Sequence, residues 1–278
     1  MIVSARSRRL ATALVVAFAA TCFAGSTEPS WFTDHGGSRA EASPGQPRLR
    51  PQKKTFTDQE ITVGFMKTAF GAEYQLAGRV DRIRKYETPV RVFTADNAPA
   101  DRKAQISRVV ADIARHVRHL DIAVIDDENT ANVIVRLVRD RDLNKTIRNL
   151  YGTARADDIR DSLDPQCLSG FRKNARYQIE RSDVILTTDT GDFTFLDCAY
   201  EELLQSLGPI NDTSSVPWTM FNDNVRLGYF GIYDQYILNI LYDPRIKAGM
   251  TIAEVTAALP QVLPDVRIWI AKVNNLPE

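Results

Sequence analysis

A chain of 278 residues, 44% hydrophobic and 25% charged, holds enough apolar material for one ordinary core, which excludes a disordered or coiled-coil protein. Its 35 Lys and Arg balance 35 Asp and Glu, so neither a basic nucleic-acid surface nor a polyacidic tail is implied.

Residues 1–24 carry Arg6, Arg8 and Arg9, no acid, and then the apolar run LATALVVAFAATCFA. This is the charge and length pattern of a secretory signal peptide, and the run is shorter than the ~20 residues a membrane-spanning helix needs. Cys22 raises lipidation as an alternative to simple cleavage, although Ala19 and Thr21 depart from the residues usual before a lipidated cysteine. Arg8 and Arg9 resemble a twin-arginine signal only weakly, because Ala11 and Thr12 stand at its hydrophobic positions. The expected location is periplasmic or secreted, with a lipid anchor through Cys22 as the variant and no transmembrane span in the mature protein. Without the three leading arginines, 32 basic residues face 35 acidic ones, a net charge near minus three.

Export changes the meaning of the cysteines. With Cys22 cleaved off or lipidated, Cys167 and Cys198 remain, and in an oxidising compartment such a pair is most simply a disulfide. The alternative, a free nucleophilic Cys198, lacks a histidine nearby in sequence.

Residues 25–55 mix Gly, Ser, Pro and charge without a period and read as a disordered linker, leaving 56–278 as a single domain. Thr57 with Glu60 is a capping box that starts a helix ending near Phe70. VRVFT at 90–94 reads as a strand. Ile106, Val109, Val110, Ile113 and Val117 predict an amphipathic helix over 101–119. Strand character returns at 122–125, 132–138 and 183–188, while 141–181 reads as a polar, irregular excursion pinned by the disulfide. Helices follow at 195–207, at 232–242 and from Thr251, where Glu254 is the capping partner; 266–272 (VRIWIAK) reads as a last strand or extended arm. The class is α+β, a mixed sheet with a long backing helix followed by a helical C-terminal part.

Only His35, His116 and His119 exist. His116 and His119 share part of one helix face, yet Arg115 and Arg118 crowd it and repel a cation, so they read as polar residues at a helix C-terminus. No serine elbow, phosphate-binding glycine loop or dinucleotide fingerprint is present. The remaining polar constellation is on the 195–207 helix. There Glu201 and Gln205 stand four apart with Glu202 beside them, and Gly208-Pro209 ends the helix before Asn211-Asp212. These five polar residues are read as lining a groove, with Glu202 exposed to it.

The chain resembles the domain of unknown function 2927 family, a set of exported proteobacterial proteins that includes lipoproteins. The similarity spans roughly residues 56–255. It is carried by Gly64-Phe65, Phe70-Gly71, Pro89, Cys167, Gly170-Phe171, Cys198, Glu201-Glu202-Leu203, Gln205 to Gly208, Asn211-Asp212, Phe221-Asn222-Asp223, Asp234, Leu241 to Arg245 and Gly249-Met250.

More distantly, the helix is similar to the zinc helix of metzincin-type zincin metallopeptidases. That resemblance puts Glu202 at the general base, Gly208 at the turn glycine, Glu201, Gln205 and Asn211 at the three histidine ligands, and Met220 near a methionine turn. A carboxylate and two amides in place of imidazoles are poor zinc ligands and suit only a hard ion held weakly. The resemblance therefore implies an inactive zincin-like scaffold with no cofactor and no metal, Glu201, Gln205 and Asn211 being weak candidates. The leading expectation is a non-catalytic exported domain that binds an unidentified protein or envelope component and no nucleic acid. A divergent metal-dependent peptidase or hydrolase with Glu202 as base, and a purely structural lipoprotein-like module, stay open beside it.

Overall fold

The computed structural model describes residues 2–7, 53–71, 81–95, 98–163 and 165–277. Contacts divide the chain into one unit of residues 1–8 and 52–278 and a second of residues 9–51. Cys22, His35 and nearly all of the expected linker lie outside the described residues.

The first unit is built on a six-stranded mixed sheet. Its strands are β1 (Ile2–Ser7), β2 (Val90–Thr94), β3 (Ile122–Val124), β4 (Val133–Val138), β5 (Pro165–Lys173) and β6 (Ile179–Thr187), arranged β1-β5-β6-β4-β2-β3. The run β3, β2, β4, β6 is parallel, whereas β5 is antiparallel to β6 and β1 antiparallel to β5. Among the described residues, seven α-helices accompany it: α1 (Asp58–Ala69), α2 (Ala100–His116), α3 (Asp140–Tyr151), α4 (Thr153–Leu163), α5 (Asp192–Ser206), α6 (Ile232–Tyr242) and α7 (Ile252–Asn274). The α+β class is as expected.

Successive strand side chains point to opposite faces, and the two faces bury different helices. Val133, Val135, Val184, Leu186 and Cys167 join the main core with Ile106, Val109 and Ile113 of α2, with α5, and with α1, α6 and α7 beyond them. Leu168 and Ile185 point the other way and form a small second core with Leu143 and Ile147 of α3 and Ala156 and Ile159 of α4.

Local chemistry explains several boundaries. Thr57 and Glu60 at α1, and Thr251 and Glu254 at α7, each form a reciprocal capping box that satisfies two orphan N–H groups. Gly64 lets α1 approach α6, since a Cβ there would sit 1.9 Å from the Tyr233 hydroxyl, which itself donates to the Glu60 carbonyl at 2.5 Å.

Two expectations are corrected. Residues 141–181 are not irregular: Leu143, Ile147, Ala156 and Ile159 supply sparse apolar contacts for two helices separated by Gly152 at φ +84, and β5 then starts at Pro165. Residues 266–272 continue α7, because Leu259, Val262, Leu263, Val266 and Ile270 make a buried stripe at helical spacing despite Pro260 and Pro264. Ile2–Ser7, part of the segment read as a signal peptide, forms the strand beside β5. Among the described residues, no helix is long and apolar enough to cross a membrane.

Candidate functional site

α5 carries two polar stripes, each recurring every fourth residue and so running along one side of the helix. The first is Cys198, Glu202 and Ser206, and it is turned to the sheet. Cys198 is disulfide-bonded to Cys167 of β5 with Cα atoms 6.0 Å apart, as expected. One turn past Glu202, the Ser206 carbonyl accepts from the Ser182 hydroxyl of β6 at 2.9 Å. Glu202 lies between these two fastenings and is fully enclosed, with 0% exposure. The expectation that it faces an open groove is therefore corrected. Its charge, behind burial and Asp183, helps push the Tyr151 phenol above its usual range.

The second stripe is Asp197, Glu201 and Gln205, and it faces the connection from Gly208 to Phe230. Asp197 Oδ1 accepts from the backbone N–H groups of Leu227 at 2.9 Å and Gly228 at 3.2 Å. One carboxylate oxygen each of Glu201, Asp212 and Asp223 lie within 4.8 Å of one another. Gln205, only 1% exposed, extends this group: its Nε2 donates to Asp212 Oδ1 at 2.6 Å. Its Oε1 is buried and has no hydrogen-bond partner among the described residues, and Asp223 Oδ1 is in the same situation.

The connection is held in place by its own side chains. Asn222 Nδ2 donates to the Val216 carbonyl at 2.9 Å and its Oδ1 accepts from the Asn224 N–H at 3.0 Å. Asp234 of α6 is fully buried and accepts from the Thr219 hydroxyl at 2.5 Å and from the Met220 N–H at 3.2 Å. Burial raises its carboxyl to about 7, while those two donors pull in the other direction.

Of the residues singled out in sequence, Glu201, Gln205 and Asp212 come together. Asn211 is turned elsewhere: its Nδ2 donates to the Lys67 carbonyl at 2.6 Å and its N–H to the Thr68 carbonyl at 3.3 Å, satisfying two carbonyls in the last turn of α1. Asp223 takes the third position. Spacing along one helix could not reveal it; its only sequence signal was the Phe221-Asn222-Asp223 stretch of the family resemblance. Asp197 was missed although it stands four residues before Glu201.

Neither of the described histidines, His116 and His119, takes part. His116 ends α2, with Nδ1 2.8 Å from the Asp112 carbonyl and 3.1 Å from its carboxylate, which raises the imidazole pKa. His119 lines a cleft with Arg118, Asn239, Asp243 and Trp269, and burial lowers its pKa, assisted by Arg118. Among the described residues, neither joins a cluster of three or more ligating side chains.

The far end of α6 is fixed by a buried cation. Lys85 Nζ donates to the Leu241 and Ile246 carbonyls, both at 2.7 Å, and burial lowers its pKa to about 8. Arg245 forks onto Asp243 at 2.7 Å and Asp265 at 2.8 Å. The arrangement places the family-like stretch from Leu241 to Arg245 in a structural role.

No curated protein and no solved structure is significantly similar to the chain. The family described as protein of unknown function DUF2927 matches over residues 58–261, which take in the whole of α5, the polar connection after it and α6, and the chain belongs to that family.

Proposed function

We propose that the protein is an exported, non-catalytic binding domain whose partner is a protein or other component of the cell envelope. The observation that carries the non-catalytic part is the enclosure of Glu202. A general base must come within hydrogen-bond reach of substrate or of one intervening water, and a carboxylate sealed between α5 and the sheet has no such access. Export is supported by the signal-like residues 1–24 and by a buried disulfide, a bond that persists in oxidising compartments. The same proposal reads the scaffold as zincin-like: a sheet, then a helix ending at Gly208, then a methionine segment fastened by Asp234.

Cleavage after residue 24 would remove β1 and leave β5 as the sheet edge, a surface that can accept a strand from another chain. The experiment is expression of the full chain in a Gram-negative host, followed by intact-mass measurement of each cell fraction. The expected result is a periplasmic species lacking the first 24 residues, with Cys167 and Cys198 oxidised. Full-length, reduced protein confined to the cytoplasm would contradict export, and a species starting at a lipid-modified Cys22 would replace simple cleavage by anchoring.

A further inference from the structure

The geometry points to a calcium site on the loop-facing stripe of α5, made by Glu201, Gln205, Asp212 and Asp223. This goes beyond the binding role proposed above and departs from the sequence expectation of no metal.

Three carboxylate oxygens from separate chain positions lie within 4.8 Å of one another. A cation held among these oxygens is attracted by each carboxylate. Calcium takes oxygen ligands at about 2.4 Å, so two ligands on opposite sides of the ion stand about 4.8 Å apart; magnesium, at about 2.1 Å, demands a tighter and more regular cage. Separations of no more than 4.8 Å leave the three oxygens within reach of one such ion, and donors drawn from three separate segments suit the irregular cage that calcium accepts.

Acidic groups alone would not single out this place. The second observation is Gln205, whose carboxamide is buried to 99% and sits against Asp212 at 2.6 Å. Its Oε1 has no hydrogen-bond partner among the described residues, a costly state for a buried acceptor. A hard cation coordinated by that oxygen and the carboxylates removes the cost. Asp223 Oδ1 supplies a further acceptor in the same state. The donor set is entirely oxygen, without imidazole or thiolate, which favours calcium over zinc.

The ligands also belong to elements that an ion would tie together. Glu201 and Gln205 come from α5, Asp212 follows the turn after Gly208, and Asp223 lies beside Asn222, which already organises the connection. A bound ion would clamp this connection onto α5, next to the contact that Asp197 makes with Leu227 and Gly228.

The test is calorimetric titration of chelator-treated, oxidised full-length protein with calcium chloride, repeated with magnesium chloride, for wild type, Asp223→Asn and Gln205→Ala. Asp223 is partly exposed, so its variant is expected to fold, which circular dichroism checks independently. The expected result is one calcium per chain, at least tenfold weaker magnesium binding, at least tenfold loss of calcium affinity in Asp223→Asn, and a smaller loss in Gln205→Ala. Absence of saturable calcium binding up to millimolar concentration overturns the site. Calcium binding that a folded Asp223→Asn variant leaves unchanged also overturns it, by placing the ion elsewhere.

Discussion

Gly208 lies against the backbone carbonyl of Arg84: a Cβ on Gly208 would stand 2.3 Å from that oxygen, and the residue adopts φ +140. The glycine that ends α5 is thus required twice, by its backbone conformation and by a contact that no side chain can enter. It sets where the chain leaves the helix, and so where Asp212 meets Gln205.

Gly208→Ala should therefore destabilise the fold by about 3 kcal/mol, combining backbone strain with overpacking against a carbonyl that cannot swing away. Urea unfolding of the oxidised protein measures it. A loss below about 0.5 kcal/mol would show that the turn relaxes freely.

The Cys167–Cys198 bond closes a loop with a sequence separation of 31. Removing it in a Cys167→Ala/Cys198→Ala double variant should cost about 3–4 kcal/mol by the loop-entropy estimate. Guanidinium unfolding of variant and wild type provides the comparison, and equal midpoints would contradict the estimate.

Asp234 makes stability depend on pH. Its carboxyl is raised from 3.8 to about 7 by burial, so between those values the folded state keeps a proton that the unfolded chain has released. The contribution is present in full below about pH 4 and is lost as pH rises to about 7. Asp234→Asn cannot titrate and should flatten that slope, at a cost of about 1–2 kcal/mol at low pH because its amide group opposes the Met220 N–H. Urea midpoints from pH 4 to pH 8 decide the matter; an unchanged slope in the variant would assign the effect to another group.

Glu202→Lys separates an interior position from a groove. On a solvated face the substitution would change stability by no more than about 0.5 kcal/mol. At a site with 0% exposure it should cost more than about 3 kcal/mol and prevent folding at moderate temperature, because a longer cation cannot escape to water. Circular dichroism melting measures the difference, and a normally folded Glu202→Lys protein would restore the groove.

Much of the fold was legible where the signal was local. Thr57 with Glu60 and Thr251 with Glu254 announce their helices because a capping box is read from four consecutive residues. The stretches 90–94 and 232–242 were bounded correctly by apolar pattern and breakers. By contrast, α3 and α4 present few apolar residues among many charges, since they cover only the small second core. The end of α7 was misread because Pro260 and Pro264 interrupt it and VRIWI favours a strand locally; burial against the main core decides in favour of helix. At the site, the four-residue spacing brought out Glu201 and Gln205, but whether Asn211 or Asp212 turns inward depends on α1, whose end Asn211 satisfies. The same limit hid the orientation of Glu202, since its side of α5 is fixed by long-range bonds to Cys167 and Ser182.

The central claim, that the polar helix α5 does not catalyse, is tested most directly by a cleavage assay. Purified, disulfide-intact protein is incubated with unfolded protein substrates in the presence of zinc, of calcium and of chelator, with mass-spectrometric detection of products. The account predicts no cleavage above buffer under any condition. Chelator-sensitive hydrolysis that disappears in a folded Glu202→Gln variant would contradict it.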